Sequence, residues 1–161
     1  MQYSKFTQLT ERIVENARSR FLETGGVPFT LFIVTPKDRI KIVEFPDEIL
    51  PSIQEATRDA IRRYKGTAVV FVGEGWLAEY KAPSEEATEQ SLEEFLAHHP
   101  SPRAHPDRVE VLMAEAIHPE GINSWLMRIS REGGRTACGR AEPFEEGGIV
   151  LGKDLSDVLQ I

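Results

Sequence analysis

Four groups of residues in this 161-residue chain have types and spacings that could do chemistry. The first is Glu74, held between glycines in Gly73-Glu74-Gly75-Trp76. The run before it, Thr67 to Val72, is β-branched and aromatic and reads as a buried strand. In a strand's period of two, Glu74 falls in line with Val70, Val72 and Trp76 and is aimed at the core. A carboxylate there needs a partner, and burial would raise its pKa toward that of a general base. Two glycines inside a strand also signal a bulge or a close backbone approach. The competing expectation is therefore a bulge that swings Glu74 to the edge or into a salt bridge. The motif is neither G-x-G-x-x-G nor a P-loop, so no nucleotide site is expected.

The second group is His98, His99 and His105 with Asp107. These are metal-ligand types on a segment that could wrap an ion. They stand among Pro100, Pro102 and Pro106, however, and neither H-E-x-x-H nor a cysteine–histidine ligand set occurs. A solvated loop is the expectation, and no metal or other cofactor is assigned. The third is Cys138, the only cysteine, between Arg135 and Arg140. Nearby cations can activate a thiol, but no motif binds a histidine base to it. A half-buried strand cysteine is expected.

The fourth is composite: Trp76, Trp125, Glu74, Glu115 and Arg128. If the strands that carry them are neighbours, they line one groove or one contact between copies. The two tryptophans are the interface candidates, since tryptophan joins a large apolar area to one donor. Glu74 and Glu115, aided by Arg128, would be the acid and base of a small hydrolase- or isomerase-like enzyme. An ordinary core closed by two large side chains is the alternative.

The elements that must position these residues follow from periodicity. Phe6, Leu9, Ile13, Ala17 and Phe21 recur every three or four residues, which predicts a helix from Ser4 to about Glu23, stopped by Gly25-Gly26. Val27 to Val34 and Arg39 to Phe45 read as a hairpin, the first strand more central and the second more exposed. A second helix is expected between Pro46 and Lys65, regular from about Pro51, capped by Asp47 or Ser52 and ended by Gly66. Its stripe is Ile53, Ala56, Ala60, Ile61 and Tyr64. Arg58, Arg62, Arg63 and Lys65 then serve the negative helix end rather than a phosphate.

Residues 81–106 change character, with Glu85, Glu86, Glu89, Glu93 and Glu94 and four prolines. They read as an acidic, mobile or partner-dependent connection, in which Leu92, Phe95 and Leu96 allow about two turns of helix. Asp107 to Ile117 and Ile122 to Arg131 form a second hairpin across His118-Pro119-Glu120-Gly121. The expected register sets Glu115 against Trp125, Met113 against Met127 and Val111 against Ile129, with Glu110 near Arg128. Arg135 to Phe144 is a further strand, and a short helical turn surrounds Leu155, Val158 and Leu159.

The expectation is one α+β domain over 1–161. Its single sheet of about five to six strands is antiparallel, a mixed sheet being the alternative. The order is α-β-β-α-β-β-β with a further β, and the two amphipathic helices cover one face. The net charge of −7 argues against nucleic-acid partners, which need a basic face. No window approaches the ~18 apolar residues of a membrane span, and no signal peptide is apparent. These features point to a cytoplasmic, non-catalytic interaction or accessory protein that self-associates or binds another protein.

Overall fold

Two nearly continuous apolar runs, in Val27–Val34 and Thr67–Val72, set the architecture, because a strand apolar on both faces must be covered on both. The computed structural model describes residues 1–47, 52–79, 88–98, 102–144, 155 and 159. In chain order the elements are α1 (Tyr3–Thr24), β1 (Phe29–Val34), β2 (Ile40–Phe45), α2 (Ile53–Tyr64) and β3 (Ala68–Leu77). They continue with α3 (Glu89–His98), a 3-10 turn at Pro102–Ala104, β4 (Val109–His118), β5 (Gly121–Glu132), β6 (Arg135–Cys138) and β7 (Glu142–Pro143). One antiparallel sheet runs β2-β1-β3-β4-β5-β6, with β7 also on β5. The expected last strand is thus two short pieces separated by residues 139–141.

The helices do not share a face. Phe6, Ile13, Val14, Ala17 and Phe21 of α1 pack with Val34, Val70, Val72, Leu112, Ala114 and Met127. On the other side Ile61 of α2 packs with Leu31, Ile33, Val69, Phe71 and Ile117, joined by Leu155 and Leu159. Leu159 N donates to Leu155 O at 3.0 Å. The sheet is therefore the middle layer of three, which explains why β1 and β3 lack alternation.

Local signals place the helix ends. Gly25 takes the left-handed conformation (φ 77°) that closes α1. Thr10, expected off the apolar face, is fully buried because its hydroxyl donates to Phe6 O at 2.9 Å. At α2 the left-handed residue is Lys65 (φ 54°), and Gly66 N donates back to Ile61 O. Gly66 is small for another reason: a Cβ there would lie 2.7 Å from Ile33 Cγ2. Ser52 occupies the N-cap of α2 without a side-chain cap bond. Pro51 lies outside the described residues, as do 80–87 and 99–101 of the acidic connection.

β3 contains no bulge. Its pairing with β4 advances one for one from Val69–Ile117 to Leu77–Val109 without a break. The glycines serve close approach instead. A Cβ on Gly73 would lie 2.6 Å from the Phe29 ring, and one on Gly75 would lie 2.5 Å from Met113 Cε. Neighbouring strands lay large side chains across both positions.

Candidate functional site

The β4–β5 pairing decides which of the singled-out residues meet. His118 pairs with Gly121, so a two-residue loop, Pro119-Glu120, sets the register. Glu115 then opposes Ser124, Met113 opposes Leu126, and Trp125 opposes Ala114. This is one residue from the expected register, and a one-residue slip exchanges the faces of a whole strand. Trp125, Met127, Ile129 and Arg131 of β5 face α1, while Ser124, Leu126, Arg128 and Ser130 face the α2 side.

Glu74 and Glu115 therefore lie on opposite faces. Glu74 pairs with Leu112, on the α1 side, and Glu115 pairs with Phe71, on the α2 side. The acid–base pair drawn from the sequence, with Arg128 as its aid, is not assembled. Glu115 is 1% exposed and engaged in the interior, and Arg128 is exposed on its own strand. Trp76 and Trp125 do share the α1 face, but their partners Glu110 and Ala114 are four residues apart on β4. That separates them by roughly 13 Å along the strand in addition to two strand spacings. Trp76 is 38% exposed, with the Arg108 guanidinium 5.2 Å from its ring centre. Trp125 packs against the α1 core.

What the α1 face assembles is a clasp around Arg131. Its Nε and Nη2 each donate to a carboxylate oxygen of Glu110 at 2.8 Å. Nη2 also donates to Gly25 O at 3.4 Å and lies 4.0 Å from Glu74 Oε1. Glu74 Oε2 accepts the Val27 backbone N–H at 2.8 Å, and the guanidinium sits 5.4 Å from the Phe21 ring centre. Glu74 thus points to the core side, as alternation requires, but it fastens the α1–β1 connection to the sheet. Glu110 was expected beside Arg128. The two-residue loop puts Arg131 on its face instead, and that loop length was the signal that could have found it.

The Arg131 hydrogen bonds hold the Glu110 carboxyl below its ordinary value of 4.5, against the opposing effect of burial. A lowered folded-state pKa contributes stability that is present above that value and is lost as pH falls through the folded-state pKa. Wild-type protein should lose this contribution on acidification below about pH 4.5. Arg131→Ala should lose about 1 kcal/mol at pH 7, where a partly exposed ion pair is screened. It should also show a flatter decline at acid pH. Urea unfolding from pH 7 to 3 checks both, and parallel curves for the two proteins would remove the clasp.

His98 Nδ1 lies 3.0 Å from Glu94 O inside α3, and His105 Nδ1 accepts the Asp107 N–H at 3.1 Å. His99 lies outside the described residues. Among the described residues no three His, Cys, Asp or Glu side chains are grouped to hold a metal ion. Burial pushes the Cys138 thiol up, and the cation acting against this is Arg18 of α1, not Arg135 or Arg140. Arg18 Nε donates to the carbonyls of Cys138 and Gly139. Of the cations on α2, Arg62 pairs with Asp59 and Arg63 lies over Tyr64.

Among the described residues β2 pairs only with β1, at one edge of the sheet, and Ile42 and Ile40 upon it are 61% and 39% exposed. Fold and site together define an α+β protein with one antiparallel sheet between helical layers, a carboxylate–arginine clasp and an apolar sheet edge. Among the described residues no helix is long and apolar enough to cross a membrane. Comparison with protein-family models, with curated proteins and with solved structures finds no match to the chain.

Proposed function

We propose that this protein is a non-catalytic interaction or accessory module that self-associates, in a cytoplasmic setting. The observation that carries this reading is the edge strand β2, which presents two exposed isoleucines and, among the described residues, pairs on one side only. Natural proteins normally blunt such an edge, because it templates pairing with another chain. Chemistry finds less support, since Glu74 serves to fasten the α1–β1 connection and lies on the opposite sheet face from Glu115. Trp76, stacked on Arg108 and partly exposed, offers a second surface for contact.

Light scattering across a concentration series tests the reading. The expected result is a mass above the 18.1 kDa of one chain. Trp76→Ala and Trp125→Ala, measured separately, show whether the tryptophan-bearing face takes part. A wild-type monomer throughout the series would overturn self-association.

A further inference from the structure

We infer that β2 pairs antiparallel with β2 of a second copy, about a two-fold axis beside Ile42, making one continuous sheet. This rests on the self-association proposed above and names its surface. Thr35 N donates to Arg39 O at 2.9 Å where the β1–β2 hairpin closes. Hydrogen bonding alternates along an antiparallel pair, so residues 41, 43 and 45 turn their backbone groups toward β1. The other side of β1 agrees in parity, because Val34 O accepts from Thr67 N beside β3. Ile40, Ile42 and Glu44 therefore direct their N–H and C=O groups to the open edge.

A two-fold axis normal to the sheet keeps each face on its own side. Directly opposed residues must then have the same parity. Only the register with Ile42 opposite itself, and Ile40 opposite Glu44, uses all three outward residues twice, for about six backbone hydrogen bonds. That centre also suits the strand's limits, with Pro36 and Pro46 bounding it.

Charge favours the same arrangement. β2 opens beside Lys37, Asp38, Arg39 and Lys41, with the Asp38 carboxylate held by the N-terminal amine at 2.8 Å, and closes with Glu44, followed by Asp47. Antiparallel self-pairing lays each basic start beside an acidic end. On the α1 face, Ile40 belongs to a groove of about 300 Å3 whose lining includes Lys5, Leu9, Arg12 and Asp38, the last held by the N-terminal amine. Glu44 of the second copy, opposite Ile40, arrives at the rim that carries Lys5 and Arg12. In one chain Glu44 already meets Arg20 at 3.2 Å, and both remain about half exposed. The apolar part of the seam comes from Ile40, Ile42 and the partly buried Phe32 and Leu9.

Lys41, the lysine that would guard the edge, is drawn 5.9 Å over the Tyr64 ring on the opposite face. The far edge of the sheet is less suited. β6 stops at Cys138, and the two-residue β7 includes Pro143, which has no N–H to donate.

Two variants decide the matter. Ile42→Asp sets like charges side by side on the axis and should weaken association at least about 100-fold, leaving circular dichroism and the melting point near wild type. Ile42→Cys should form a covalent dimer under mild oxidation, because Cα atoms of a hydrogen-bonded pair lie about 5.5 Å apart. The native Cys138 is buried and does not compete. Ile122→Cys, also exposed (42%) but on the β4–β5 hairpin, should not cross-link. If Ile42→Asp keeps the wild-type mass and Ile42→Cys does not cross-link, the β2 seam is wrong and self-association stands on another surface. If the wild type is a monomer at every concentration, both fall.

Discussion

Phe71→Ala is expected to lower unfolding stability by about 3–5 kcal/mol, the range for emptying a buried aromatic site. Phe71 is fully buried in the middle of β3, between Leu31 of β1 and Glu115 of β4. Its ring centre lies 5.4 Å from that of Phe29, and the Phe29 ring in turn lies across Gly73. Collapse around the vacancy is hindered because the site belongs to two strand pairings at once, and a rigid cavity carries the larger cost. Domains of this size have roughly 5–15 kcal/mol in total, so the variant should sit near the edge of folding. Denaturant unfolding with circular dichroism reads the loss directly. Hydrogen exchange adds a test of place: amides of α2 should lose more protection than those of α1, which packs on the other face. A loss below about 1 kcal/mol, typical of an exposed site, would contradict the placement of Phe71 at the centre of that layer.

The same two-faced packing shows how far the sequence could be followed. Both long helices and their stripes are legible from periods of three and four, and so are the hairpins from their turn residues. The two helices were expected on one face and take opposite ones, because helix stripes alone do not say which face each helix covers. The β4–β5 register was not legible by the same means. Strand periodicity is two, so pairing depends on loop length to a single residue, and that residue decided whether Glu110 met Arg128 or Arg131. The glycines of β3 misled for a related reason. Their cause is Phe29 on β1 and Met113 on β4, side chains distant in sequence that no local pattern announces. Glu74 shows both sides of this: its direction followed from alternation, and its partners did not.

Glu74→Ala is expected to cost about 1–3 kcal/mol, the price of leaving a buried donor without its acceptor. The Val27 N–H, whose residue is almost fully buried, bonds to Glu74 Oε2 at 2.8 Å. Removing the carboxylate strands that donor at the point where α1 hands over to β1. Arg131 retains its two bonds to Glu110, so the whole clasp should not fail. Glu74→Gln separates hydrogen bonding from charge. Its amide oxygen can still accept from Val27, and only the 4.0 Å attraction to Arg131 is lost, so a cost below about 1 kcal/mol is expected. Urea unfolding of the two variants at pH 7 supplies the comparison. Alanine falling well below glutamine identifies Glu74 as the acceptor that fastens the α1–β1 connection. Equal losses would assign its contribution to charge, and no loss in either would leave the carboxylate without a structural task and reopen it as a chemical group.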